Sequence, residues 1–225
     1  SDPMGSVLRQ GAISRNGSRA RESLFLLTPS GDEEPITRHL PTYCTSMHVA
    51  VIGAGSWGTG LASLIADRNE VCLWSRRDDL ATSINVGREN SDYLPGYRLP
   101  DALRATSSIA EALGGAELVM FAVPSHGMRH VVEQGAGLIA GEVPILSLAK
   151  GLESTTLMRM TEIINGVLPG HQQERVGVLT GPNLVRELIA GQPGASVIAM
   201  ADAECATRVQ CDLMNDTLRI YTNPD

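Results

Sequence analysis

Gly53-Ala54-Gly55-Ser56-Trp57-Gly58 follows the apolar run His48-Val49-Ala50-Val51-Ile52 and opens a helix pattern carrying Leu61, Leu64 and Ile65. In that strand–turn–helix setting the spacing carries chemistry. The first glycine permits the tight turn, the second lets the backbone approach a pyrophosphate, and the third lets the helix lie close on its strand. Free N–H groups at the helix start then attract the anion. A glycine-rich turn that binds nothing is the alternative, and a second strand ending about 20 residues later favours a dinucleotide. The tip of that strand reads Leu73-Trp74-Ser75-Arg76-Arg77, where a carboxylate would bind an adenosine ribose 2′-hydroxyl. None stands there, and Asp78 and Asp79 come too late. Arg76 and Arg77 suit a 2′-phosphate or a stacked adenine, so the expected cofactor is NAD or NADP, with NADP tolerated. The bland alternative is that both arginines solvate a loop.

The elements that would position these residues alternate. Apolar runs at 48–52, 71–75, 117–123, 143–148, 176–180, 195–200 and 218–222 read as strands, and helix-like stretches lie near 57–67, 107–114, 126–139, 156–166, 184–190 and 202–214. Such alternation implies parallel βαβ units and an α/β fold. Glu117-Leu118-Val119-Met120-Phe121-Ala122-Val123 has no in–out alternation, as expected where helices cover both faces of a sheet.

Composition excludes several functions. A net charge of −7 and an isoelectric point near 5.2 oppose the basic footprint of a nucleic-acid binder. The longest apolar stretch, Leu118 to Val123, is far below the roughly 20 residues of a membrane span. Cys44, Cys72, Cys205 and Cys211 match no zinc signature and read as reduced thiols of a cytoplasmic protein. Residues 1–46 are Ser-, Gly-, Arg- and Pro-rich and carry equal numbers of arginines and acids. They read as a flexible extension, vector-derived at Ser1-Asp2-Pro3, with an organelle transit peptide as the competing reading and Met47 as a candidate natural start. Residues 47–225 are then one dinucleotide-binding domain.

Further stretches complete a pattern: Tyr93-Leu94-Pro95-Gly96, Val123-Pro124-Ser125-His126, Ser147-Leu148-Ala149-Lys150-Gly151-Leu152-Glu153, Gly181-Pro182-Asn183-Leu184 and Tyr221-Thr222-Asn223. In order and spacing, from about His48 onward, the chain resembles the bacterial-type NAD(P)-dependent glycerol-3-phosphate dehydrogenases. The resemblance implies a Rossmann-type doubly wound, mostly parallel sheet. It also implies a cytoplasmic enzyme interconverting dihydroxyacetone phosphate and sn-glycerol 3-phosphate for glycerophospholipid synthesis. It places Gly53, Gly55, Ser56, Trp57 and Gly58 against the cofactor, and Arg76 and Arg77 at its adenosine end. Lys150 would reach both cofactor and substrate, its ammonium orienting the substrate or stabilising charge as the ketone is reduced. Gly181 and Asn183 would contact substrate and Val185 the cofactor. Asn183, between strand and helix, could instead simply cap the helix. Two departures stand out: Val185 and Gly60 each replace a customary alanine, and a helical Gly60 should cost about 1 kcal/mol.

The general acid/base lysine and the arginine that clamps substrate phosphate belong, in the resembled family, to a helical C-terminal domain that this chain lacks. No lysine follows Lys150. The chain alone is therefore expected to bind cofactor without turnover, and its uncovered apolar surface leaves a homodimer open. His126 and His130, with Glu133 a turn on, could hold a metal, but a solvated helix face is the preferred reading and no metal site is assigned. Cys205 and Cys211 would not share a helix face, and no GxSxG elbow marks a hydrolase. A dinucleotide-sensing module and another reductase of the 6-phosphogluconate dehydrogenase-like group remain as alternatives.

Overall fold

The computed structural model describes residues 46–224, preceded by the backbone of two short segments, 25–27 and 33–35. The chain divides into Ser1–His39 and Leu40–Asp225. In the first unit β1 (Phe25–Leu27) pairs antiparallel with β2 (Glu33–Pro35), a ribbon that the composition of this region did not suggest. The reading of residues 1–46 as an extension otherwise lies outside the described residues.

In the second unit the alternating pattern becomes β3 (His48–Ile52), α1 (Ser56–Ile65), β4 (Glu70–Trp74), α2 (Asp78–Gly87), β5 (Arg104–Thr106), α3 (Ile109–Leu113) and β6 (Leu118–Phe121). A 3-10 turn (Ser125–Gly127) leads into α4 (Met128–Gly135). Then come β7 (Ile145–Ser147), α5 (Met160–Val167), β8 (Val176–Thr180), α6 (Val185–Ile189), β9 (Gly194–Ala199), α7 (Ala203–Leu213) and β10 (Leu218–Asn223). The eight strands from β3 on form one sheet in the order β10-β9-β8-β7-β6-β3-β4-β5.

Burial explains the unbroken apolar runs. Val49, Val51, Leu118 and Met120 join a core with Leu61 and Ile65 of α1, Leu80 and Ile84 of α2 and Val209 of α7. Their sequence neighbours Ala50, Ile52, Val119 and Phe121 join a second core with Leu113 of α3, Val132 of α4 and Ile163 of α5. Successive strand side chains point to opposite faces, and here both faces are covered. The chain winds from β3 outward through β4 to β5, then restarts on the other side of β3 at β6. The crevice of such a sheet opens at that reversal, at the carboxyl ends of the strands.

Three features depart from the sequence reading. Neither α2 nor β5 was expected: β5 is three residues long with Ala105 its only apolar member, so no hydrophobic run announces it. Its existence depends on pairing with Cys72–Trp74 of β4. Next, β9 runs antiparallel to β8, although β9 and β10 are parallel. The chain returns through the five-residue α6 without crossing over the sheet, so β9 begins near the end of β8, with Val197 opposite Thr180. Finally, Cys72 and Cys205 are free thiols, each pushed up in pKa chiefly by burial, whereas Cys211 is disulfide-bonded. The spacing argument weighed Cys211 only against Cys205, its neighbour on α7, and could not see a partner elsewhere. The thiols therefore carry no argument about compartment.

Candidate functional site

A cleft of about 620 Å³ opens at the reversal, between the ends of β3, β4, β6 and β7. Gly53, Gly55, Ser56 and Trp57 form its floor, with Trp74, Arg76 and Arg77 on one side and Val123, His126, His130 and Ala149 on the other.

The three glycines have different reasons. Gly53 sits at φ +124°, and a Cβ there would lie 2.8 Å from the Ala122 carbonyl oxygen. At Gly58 a Cβ would come within 2.0 Å of the Gly53 oxygen, so both are demanded by the turn and by the approach of α1 to β3. Gly55 has φ −73°, and a Cβ there meets nothing within 4 Å. The fold does not require glycine at 55, where the bare backbone lines the cleft and leaves room for a ligand to approach. Gly55 is also the N-cap of α1 and brings no side chain to its first-turn donors, nor does an acidic residue stand in that turn. The N–H groups of Ser56, Trp57 and Gly58 precede the first helical bond, from Thr59 N–H to the Gly55 carbonyl, and are available to an anion. The cradle thus fits a pyrophosphate.

Buried Asn90 fixes this loop and gave no sequence signal. Its amide donates to the Ala54 carbonyl at 2.9 Å and to Thr59 Oγ1 at 2.8 Å, and its Oδ1 accepts from Tyr93 N–H at 3.2 Å. Ser56 Oγ donates to the Tyr93 carbonyl at 2.7 Å. The Tyr93-Leu94-Pro95-Gly96 stretch is thereby stitched to the glycine turn, and the Ser56 hydroxyl proton is already engaged.

The two arginines part company. Arg77 pairs with Asp79 and, at 2.7 Å, with Asp92, which raise its pKa further while Arg77 lowers that of Asp79. Arg76 is exposed, lines the cleft and has no partner among the described residues. Of the two carboxylates judged too late for a ribose, Asp79 thus occupies Arg77, while Asp78 accepts from Ser107 Oγ. His126 and His130, read as a solvated face, line the cleft, where the His130 ring lies 3.0 Å from Gln134 Nε2. Helical spacing put both on one face of a single helix; His126 in fact lies in the 3-10 turn before α4, and spacing did not show what that face meets.

Lys150 follows the carboxyl end of β7, on the same sheet edge as the glycine turn and two strands away. It is exposed and stands one residue past the lining Ala149. Beside it, a Cβ on Gly151 would lie 3.9 Å from Ser125 Oγ.

Gly181, Asn183 and Val185 cluster where β8 gives way to α6. The N-cap of α6 is Leu184, without a side-chain bond, so the capping role considered for Asn183 is not realised. The Asn183 amide instead donates to the Ala195 carbonyl and Ser196 Oγ, both at 2.8 Å, and accepts from Ala195 N–H. It acts as a surrogate strand partner, a need created by the reversal of β9. Gly181 lies beneath it, where a Cβ would meet the Ala195 oxygen at 2.4 Å. Val185 turns toward α1: a Cβ on Gly60 would fall 2.0 Å from Val185 Cγ2. The two departures from alanine are one complementary contact.

Fold and cradle define a Rossmann-type α/β domain with an anion-binding turn at its switch point. Residues 48–206 match the family described as NAD-dependent glycerol-3-phosphate dehydrogenase N-terminus, and the chain belongs to that family. It is 46% identical over 179 residues to glycerol-3-phosphate dehydrogenase NAD(P)+ 2 of Sphingopyxis alaskensis, covering 80% of this chain and 53% of that protein. It is likewise 46% identical to glycerol-3-phosphate dehydrogenase NAD(P)+ of Corynebacterium glutamicum, covering 79% and 53%. Among solved structures, the glycerol-3-phosphate dehydrogenase of Coxiella burnetii superposes with a TM-score of 0.73 at 30% identity, covering 80% of this chain and 55% of that one. The chain spans about half the length of the curated relatives it matches.

Proposed function

We propose that residues 47–225 are the cofactor-binding half of an oxidoreductase that interconverts dihydroxyacetone phosphate and sn-glycerol 3-phosphate with NAD(P)H, supplying glycerophospholipid synthesis in the cytoplasm. The observation that carries this reading is Gly55, a glycine the fold does not need, facing open space beside three unclaimed N–H groups. When bound, the reduced nicotinamide supplies the hydride. The α1 first turn holds the diphosphate and Trp57 covers it. Arg76 takes the adenosine end, and Arg77 contributes there only if it releases Asp79 or Asp92. Lys150 orients the substrate and stabilises negative charge at the ketone oxygen. Gly181 offers backbone to the substrate, and Asn183, its amide committed to β9, keeps that turn in shape. Val185 meets the cofactor side while packed on Gly60.

No lysine follows Lys150 in this sequence, and on this reading the 225 residues alone bind cofactor without turnover. Among the described residues no helix is long and apolar enough to cross a membrane. A homodimer through the uncovered apolar surface is part of the same reading. Titration with NADH and NADPH, followed through the two tryptophans, should saturate. Replacing Arg76 with alanine should weaken NADPH more than NADH. No saturable binding of either nucleotide, or robust turnover of dihydroxyacetone phosphate by the 225-residue chain, would overturn the reading.

A further inference from the structure

Lys150 is the only lysine in the chain, and its side chain has no partner among the described residues. Its backbone is held at both ends. On one side Leu148 N–H donates to the Phe121 carbonyl at 2.8 Å, the last bond tying this strand to β6. On the other, Glu153 accepts from Arg129 of α4 in a bidentate pair, Nε at 2.9 Å and Nη2 at 2.8 Å, and from Thr156 Oγ1. Only Ala149, Lys150, Gly151 and Leu152 lie between these anchors.

The ion pair does something the turn's own bonds do not. Glu153 N–H donates to the Met158 carbonyl, Leu157 N–H donates to the Glu153 carbonyl, and Leu152 bridges Arg159, so the turn is closed on itself without Arg129. The pair adds attachment to α4, whose neighbouring residues Gly127, His130 and Val131 line the cleft. Glu153 is 9% exposed, so removing Arg129 in place would leave a mostly buried carboxylate with the Thr156 hydroxyl as its remaining side-chain partner, which is disfavoured. Fork-to-fork geometry also fixes direction, not distance alone.

We infer that Arg129 and Glu153 are positioning residues for Lys150: their bidentate pair docks the Lys150 turn on the α4 wall, so the ammonium enters the cleft from one fixed direction. This rests on Lys150 acting on cofactor and substrate, as proposed above. In a longer protein carrying the helical domain, losing the pair should lower kcat by on the order of 10–100-fold, the scale of a small misplacement, with KM for dihydroxyacetone phosphate little changed.

The single lysine allows a direct test on the 225-residue chain. Reductive ¹³C-methylation gives Lys150 a side-chain resonance separate from that of the N-terminal amine. In the wild-type chain, saturating NADH should shift that resonance. In Glu153→Gln and Arg129→Gln the shift should be lost while the NADH Kd, read by tryptophan fluorescence, stays at the wild-type value. Should these variants fail to fold, Glu153→Asp keeps the charge but draws the carboxylate back from the Arg129 fork and should show a reduced shift. A wild-type shift in folded Glu153→Gln, or in Glu153→Asp, overturns the positioning role and leaves the reading of Lys150 standing. A wild-type Lys150 that ignores saturating NADH overturns both.

Discussion

Gly60 and Val185 offer a sharp test of how α1 and α6 fit together. Replacing Gly60 with alanine in an isolated helix would stabilise it by about 1 kcal/mol. In this fold the new methyl falls 2.0 Å from Val185 Cγ2, with Ile189 Cγ2 at 3.6 Å, well inside the roughly 3.5–4.0 Å of a favourable carbon contact. Val185 cannot swing aside cheaply, because a β-branched residue in a helix has one strongly preferred χ1. Overpacking of this kind costs about 1–3 kcal/mol. Taking a central value of about 2, Gly60→Ala should destabilise the domain by about 1 kcal/mol net. Val185→Ala alone removes partly buried methyls and should cost about 1–2 kcal/mol. With alanine already at 185 the clash is absent, and Gly60→Ala should then stabilise by about 1 kcal/mol. The expected coupling is therefore about 2 kcal/mol and reverses the sign of the Gly60 effect. Urea and thermal unfolding of the four proteins measure it, with 1 kcal/mol corresponding to about 2–4 °C for a domain of this size. The double variant carries alanine at both positions, the pair customary in the resembled family. If Gly60→Ala changes stability by the same amount in both backgrounds, the contact is not what keeps glycine at 60.

The glycines of the phosphate turn should separate folding from binding. Gly58→Ala drives a methyl into the Gly53 carbonyl and should lower Tm markedly, whereas Gly55→Ala should leave Tm near wild type and weaken NADH binding; equal Tm losses would refute the distinction. Asn90→Leu strands the Ala54 carbonyl, Thr59 Oγ1 and Tyr93 N–H. It should cost roughly 2–4 kcal/mol in denaturant unfolding, and a loss under about 0.5 kcal/mol, typical of an unremarkable surface site, would contradict its role as the clasp of the glycine turn. Acid unfolding should report Glu153, held at about 2 instead of 4.5 chiefly by the Arg129 bond and then by Thr156. A lowered folded pKa means its contribution is complete above pH 4.5 and fades as pH falls toward 2. Wild-type Tm should therefore drop more steeply than that of Glu153→Gln across that window, and parallel curves would refute the assignment. Asp212 works in the opposite sense, since burial raises its pKa and protonation relieves it; an Asp212→Asn background removes that contribution from the comparison.

The sequence alone determined the α/β class, the position of the phosphate turn and the strand ends that carry Arg76 and Lys150. These follow from local signals: the 48–52 run, the glycine spacing and apolar stretches long enough to need cover on both faces. Tertiary structure decided whatever depends on partners distant in the chain. β5 exists because β4 offers it an edge, and the antiparallel seat of β9 beside β8 is a pairing that no local signal announces. Asn90 finds Ala54 and Thr59 across 36 and 31 positions, and Arg129 finds Glu153 across 24. Gly60 looked like an unexplained weakness until Val185 was seen filling the space beside it. Residue type and spacing report what a short segment prefers, while a carboxylate's partner or a glycine's neighbour is fixed only when the sheet brings two segments within a few ångströms.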